Sequence, residues 1–160
     1  MAGKSFPSNF LISFLKKIYA LDENPNRTLT DIKKILIIRQ HNQLGDMLAG
    51  VSLFRAVKEK YPQSHLTLLS SVDNYYGVIK NKFIDELIVF DKRKMFNPFE
   101  FIKFFKMIRR NFDLAIVPAT VSISFTSGLI ARLSDSRTRI GPRSLDGKVN
   151  ESNFLFDRRV

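Results

Sequence analysis

Short runs of aliphatic and β-branched residues return five times along this chain, each far enough from the next for a helix to fit between. That recurrence limits the fold more than any other feature. The runs lie at 35–38, 66–69, 87–90, 114–117 and, less sharply, 138–140. The first, third and fourth lack polar alternation, as expected of strands buried on both faces. Between them the spacing turns helical. Met47, Val51, Phe54 and Val57 form one such stretch, Phe99, Ile102, Phe105 and Ile108 a second, and 122–133 a third, with a shorter one at 72–81. Strand and helix alternating at this pitch predict βαβ crossovers and a Rossmann-like α/β fold, an open parallel sheet with helices on both faces.

At 160 residues the chain is of one domain's size, and a hydrophobic share of 44% excludes wholesale disorder. The reading divides it into residues 1–33, an amphipathic helix and linker, and residues 34–160, the Rossmann-like domain. Cations outnumber acids 26 to 15, a net charge of +11. Within 92–110 stand Lys92, Arg93, Lys94, Lys103, Lys106, Arg109 and Arg110 against Glu100 alone. This charge is interleaved with apolar runs instead of forming a tail. That pattern argues against a nucleic-acid-binding arm and leaves anionic surfaces or acidic ligands as partners. Cysteine is absent, which excludes disulfides, thiolate metal sites and cysteine nucleophiles and fits a reducing compartment. No apolar run approaches the roughly 18 residues of a membrane span. The patch at 10–15, closed by Lys16-Lys17, is too short for a signal peptide. A soluble, cytoplasmic protein is expected.

The two ends carry their own expectations. Phe6, Phe10, Phe14, Ile18 and Leu21 recur at helical spacing. Such a helix either docks on its own domain, the commoner fate, or lies at a membrane surface. At the other end, residues 154–160 stop in an apolar stretch with no glycine or proline signal, which predicts a truncated chain.

In an open α/β sheet, ligands bind beyond the carboxyl ends of the strands. The loop after the first run reads Arg39-Gln-His-Asn-Gln-Leu-Gly45-Asp46, with a helix expected from about Met47. Gly45 allows close backbone approach. Asp46 has two readings, an N-cap for the helix or a carboxylate at the strand-end crevice, kept ionised by the helix N-terminus and able to take a proton. Local pattern does not separate them. His41 and His65 have no carboxylate pair at ligand spacing, which argues against a metal site. No G-x-G-x-x-G, phosphate-binding P-loop or G-x-S-x-G elbow is present, so a dehydrogenase, P-loop phosphotransferase or serine hydrolase has no support beyond sheet class.

The first strand, the Leu44-Gly-Asp-Met-Leu48 segment and the helix running into Arg55-Ala-Val-Lys-Glu-Lys-Tyr-Pro62 resemble the start of glycosyltransferase family 9, the ADP-heptose:lipopolysaccharide heptosyltransferases and their relatives. The likeness continues in order through Phe83-Ile-Asp-Glu-Leu-Ile-Val-Phe-Asp91, Asn111-Phe-Asp-Leu-Ala-Ile-Val-Pro118 and Arg139-Ile-Gly141, covering residues 34 to about 158. The resemblance implies the N-terminal half of a GT-B glycosyltransferase, in which two Rossmann-like domains face each other across a cleft. It implies inverting, metal-independent transfer of a sugar such as heptose from a nucleotide-sugar, an ADP-sugar foremost, to a lipopolysaccharide-core or related glycan acceptor. The donor is a substrate, and no cofactor is expected. Asp46 maps onto the family's proposed general base, with Gln43, Leu44 and Gly45 beside it as substrate-binding residues. Lys92, Arg93 and Lys94 would meet an anionic glycolipid acceptor through phosphate and carboxylate, with a solvated loop as their other reading. Lys148, matched by counting back from 156–158, would add a further basic contact. His41 and Gln43 could hydrogen-bond sugar hydroxyls.

Three departures accompany the likeness. Ser52 stands where the family commonly has proline, Arg39-Gln-His-Asn replaces a Lys-Thr-Ser type of segment, and the C-terminal donor domain is missing. The last predicts that this chain alone is inactive. The expected setting is the cytoplasm, with peripheral contact at the inner membrane as an option. The alternative function is a non-catalytic basic module that binds anionic lipid headgroups or glycans.

Overall fold

The computed structural model describes residues 9–40, 44–119 and 122–160; the side chains of residues 9–11, 44 and 46 fall outside that description. Helices α1 (Asn9–Tyr19), α2 (Leu44–Ala49), α3 (Val51–Lys60), α4 (Pro98–Ile108) and α5 (Phe125–Leu133) accompany strands β1 (Lys34–Arg39), β2 (His65–Ser71), β3 (Glu86–Phe90), β4 (Leu114–Ile116) and β5 (Thr138–Gly141). A hairpin of β6 (Ser144–Leu145) and β7 (Lys148–Val149) and a last strand, β8 (Arg158–Arg159), complete the order. Six strands pair in parallel as β3-β2-β1-β4-β5-β8. The fold is Rossmann-like, and all five apolar runs are strands in it. Nothing in the sequence announced β8, because both of its residues are arginines.

The period-2 alternation of a strand sends successive side chains to opposite faces. In β1, Leu36 and Ile38 join Phe104 and Ile108 of α4 and Ile130 and Ala131 of α5 in one core layer. Ile35 and Ile37 join Met47 of α2 and Phe54 and Val57 of α3 in the other. Helices therefore cover both faces.

Three expectations change. The third apolar run, β3, is not buried on both faces. It is the sheet's edge, with Val89 exposed. The second run, β2, is buried from Leu66 to Ser71 despite Thr67, Ser70 and Ser71. One continuous helix through 47–57 is instead two, broken at Gly50, where an added Cβ would lie 3.1 Å from the Met47 carbonyl oxygen and 3.2 Å from Arg39 Nε. On α1 the half-buried side chains are Ile12, Leu15 and Tyr19, while Phe14 and Ile18 of the expected stripe face outward. The end of α1 is tied to α5, and the linker to the C-terminal segment. Tyr19 O accepts from Arg132 Nε at 3.1 Å, and Leu21 N donates to Phe154 O at 2.9 Å.

An aspartate sits immediately before three of the strands and accepts the first free N–H groups of a neighbouring strand. Asp85 Oδ2 takes Leu66 N at 2.7 Å, Asp113 Oδ2 takes Lys33 N and Lys34 N at 2.8 and 2.9 Å, and Asp157 Oδ2 takes Arg139 N at 2.8 Å. Partial burial pushes the Asp85, Asp113 and Glu86 carboxyls up. The Leu66 N–H and Lys58 ammonium on Asp85, the Lys33 and Lys34 N–H groups on Asp113, and Arg110 on Glu86 outweigh it, so all three end below their ordinary values of 3.8 and 4.5. The unfolded chain therefore binds protons first on acidification. Stability is complete above those ordinary values and falls as pH drops through the lower folded ones. The urea midpoint should decline from pH 5 downward, and Asp113→Asn with Asp85→Asn should flatten that decline; an unchanged slope would refute the assignment.

Candidate functional site at the carboxyl edge of the sheet

The chain runs outward from β1 to β2 to β3, then returns to β4 on the other side of β1. Strand order thus reverses between β1 and β4, the point at which open α/β sheets bind ligands. Two segments flank this point, α2 after β1 and the approach to α5 after β4. Gln40, at the exit of β1, joins them. Its Nε2 donates to Ser124 Oγ at 3.0 Å, and the same oxygen accepts Ser127 N at 3.2 Å as the N-cap of α5. Gln40 is 4% exposed, and its Oε1 is buried with no partner among the described residues.

Beside this point the same edge opens into a cleft of about 250 Å³, walled by Gln40 from β1, Ser71 to Asp73 after β2, and Phe90 to Arg93 after β3. Asp91 shapes the last turn by accepting Arg93 N on Oδ1 at 2.9 Å. Two cations, Lys92 and Arg93, and two carboxylates, Asp73 and Asp91, line it, so the cleft can bind both donors and acceptors. Of these residues only Lys92 and Arg93 were singled out from sequence as site residues. Gln40, Ser71, Asp73 and Asp91 were missed, although each lies at the carboxyl end of a strand, and that position was the available signal.

Lys94 stands in a 3₁₀ turn, Lys94–Phe96, and lines a neighbouring groove of about 460 Å³ between the β3 edge and α4, which shares Val72 and Asp91 with the cleft. Lys148 is on β7, exposed, after β5. β3 and β5 are four strand positions apart, about 19 Å at the usual spacing, so Lys148 does not meet the Lys92 cluster in the cleft. Gly45 and Asp46 are the second and third residues of α2. Asp46 is therefore in the first helical turn, not at an N-cap before Met47, a place where a carboxylate favours the helix dipole. The direction of its side chain lies outside the described residues, as do His41 and Gln43 and the side chain of Leu44. An added Cβ on Gly45 would meet nothing within 4 Å. The packing of the described residues does not demand glycine there. Among the described residues no three His, Cys, Asp or Glu side chains stand together as a metal-holding group, and no helix is long and apolar enough to cross a membrane.

No family model matches the sequence, and no curated protein matches it. Solved structures do. ADP-heptose lipopolysaccharide heptosyltransferase II of E. coli superposes with a TM-score of 0.55 and 25% identity over 69% of this chain and 30% of its own. A family 9 glycosyl transferase of Veillonella parvula gives 0.58 and 22%, over 74% of this chain and 33% of its own. The chain thus spans about a third of the length of either neighbour. Its carboxyl-edge site sits on a Rossmann-like α/β fold similar to part of this heptosyltransferase and of this family 9 glycosyl transferase.

Proposed function

We propose that residues 34–160 are the acceptor-binding, base-bearing domain of an inverting, metal-independent glycosyltransferase, with residues 1–33 as an appended helix and linker. The reaction would move a sugar such as heptose from a nucleotide-sugar, an ADP-sugar by preference, to an anionic lipopolysaccharide-core or related glycan acceptor at the inner face of the membrane. In it, Asp46 takes the proton of an acceptor hydroxyl as that oxygen attacks the anomeric carbon. The bond from that carbon to the diphosphate oxygen breaks with inversion, and the nucleoside diphosphate leaves, its charge met by cations and helix N-termini. A second Rossmann-like domain would bring most of the donor site.

The observation that carries this reading is the position of Gly45-Asp46 in the first turn of α2, at the reversal of strand order, in a fold similar to that of a heptosyltransferase. Gly45 adds support. A glycine inside a helix costs about 0.5–1 kcal/mol relative to alanine, and among the described residues no packing contact at Gly45 accounts for that cost. Close approach of a substrate to the backbone would. Lys92 and Arg93 at the cleft rim suit a phosphate- or carboxylate-bearing acceptor, and the buried Gln40 Oε1 at its wall suits a hydroxyl donor.

Combined with a donor-binding domain, the chain should transfer sugar from an ADP-sugar to a lipopolysaccharide-core acceptor, and Asp46→Ala should lower kcat about hundredfold while costing no more stability than the roughly 0.3–1 kcal/mol of a first-turn carboxylate. Full turnover in that variant removes Asp46 as the base.

A further inference from the structure

Helix α4 is apolar nearly all round. Phe104 and Ile108 enter the core, yet Phe99 and Ile102 face solvent at 83% and 52% exposure, and Phe96 just before the helix is 92% exposed. The sequence pattern grouped Phe99 and Ile102 with Ile108 on one face; the structure divides them between opposite sides. Positions 99, 102 and 106 follow one another up the outward side at i, i+3, i+7. These rings are held outward by local structure. Asn97 Oδ1 accepts Phe99 N at 2.9 Å, Pro98 occupies the first turn, and Asn97 N closes the preceding 3₁₀ turn onto Lys94 O at 3.0 Å.

Cations outnumber acids around them, with Asp91 and Glu100 the carboxylates that line the adjoining groove. Arg109 and Arg110 are paired with Asp135 and Glu86. Lys92, Arg93, Lys94, Lys103 and Lys106 are exposed and have no acidic side chain within 4.0 Å among the described residues. Exposed phenyl rings set among unneutralised cations form the kind of face that settles at an anionic membrane interface, with its apolar groups at the acyl boundary and its cations among the phosphates.

We propose that the Lys94–Phe96 turn and the outward side of α4 are a docking surface for an anionic lipid bilayer. Phe96, Phe99 and Ile102 enter the headgroup–acyl boundary, and the five cations hold the phosphates around them. A second copy of the chain fits this face poorly, because it would bring the same five charges against themselves. Nucleic acid fits poorly too, since Ile102 offers no stacking plane and the rings crown a helix start instead of lining a groove. The surface differs from α1, where Phe14 and Ile18 are about half exposed and no described apolar side chain stands out as Phe96 and Phe99 do. It does not depend on the transferase reading, because vesicle binding needs neither donor nor acceptor. Where both hold, Lys92 and Arg93, shared with the cleft, place that cleft beside the bilayer.

The test is cosedimentation of the chain with vesicles of phosphatidylcholine, with and without phosphatidylglycerol. Binding should require phosphatidylglycerol and weaken at high salt. Phe96→Ser with Phe99→Ser should lower it about tenfold, and Lys103→Glu with Lys106→Glu by at least as much, while Phe14→Ser with Ile18→Ser leaves it unchanged. All these side chains are exposed, and equal thermal midpoints check the fold. The chain has no tryptophan, so Phe99→Trp supplies a single indole whose emission should shift to the blue on the anionic vesicles. No vesicle binding, equal binding to neutral vesicles, binding carried by Phe14 and Ile18, or an unshifted indole would each overturn the proposal. So would a dimer or an RNA complex that the Phe96 and Phe99 substitutions abolish.

Discussion

Asp157→Asn should destabilise the fold by about 3–5 kcal/mol, read as a lower urea midpoint at neutral pH. Asp157 and Arg139 are each 6% exposed. One carboxylate oxygen of Asp157 accepts both the Arg139 backbone N–H, at 2.8 Å, and its Nη1, at 2.9 Å. The other lies 3.6 Å from Arg27 Nη1. Asparagine keeps the shape and can still accept the backbone N–H, but it leaves a buried guanidinium with no counter-charge. The surroundings worsen this. Burial and the nearby Arg139 charge already lower the pKa of Arg132, and Asp157 is one of the acids that oppose the effect. Arg27→Ala, on the exposed side of the same carboxylate, should cost under about 1 kcal/mol. A loss at Asp157 no larger than that at Arg27 would show that the buried pair contributes little beyond its geometry.

The same aspartate explains what the ordered motifs in the sequence report. Asp85, Asp113 and Asp157 each follow an apolar residue and precede a strand, and each closes the amino edge of the parallel sheet. Two of them lie in the motif segments that resemble family 9. Asp85 and Asp113 in those segments therefore serve the fold, at the edge opposite the candidate cleft that Asp91 lines. This is why sheet class and strand identity were legible in the sequence. An apolar run and its preceding aspartate are local features.

What escaped the sequence depends on neighbours. β3 and β2 differ in burial because one is the edge and the other is not, and no run of residues states its place in a sheet. Phe99 and Ile102 had helical spacing, but α4 offers two apolar sides and only one can face the core. The exit residues Gln40, Asp73 and Asp91 form a cleft because β1, β2 and β3 are adjacent. Lys92 and Arg93 were legible because position after a strand was enough to place them. Lys148, placed by counting along the chain, falls on a hairpin beyond β5, four strands away. Asp46 was legible as a strand-exit acid, and its helix begins earlier than the Gly-Asp pair led one to expect.

Among Gly45, Gly50, Gly128, Gly141 and Gly147, an added methyl should be most disruptive at Gly141, with Gly141→Ala lowering stability by about 3 kcal/mol. Gly141 ends β5, and a Cβ built there would lie 2.4 Å from Phe156 Cζ and 2.5 Å from both Cε atoms. These are the ring's far atoms, yet the ring has nowhere to retreat. Phe156 is 1% exposed, in the core layer with Phe104, Ile108 and Ile130, and a Cβ at Gly128 of α5 would lie 3.3 Å from its Cζ. Adding the methyl must therefore move β5, α5 or the Phe154–Phe156 segment. Phe156→Ala should cost about 3–5 kcal/mol by leaving a cavity. The two changes share one space, so the double variant Gly141→Ala, Phe156→Leu should be more stable than the sum of its singles by at least about 1 kcal/mol. Additive losses in the urea midpoints would mean that ring and strand do not meet as described, and the C-terminal segment would then lose its seat on β5.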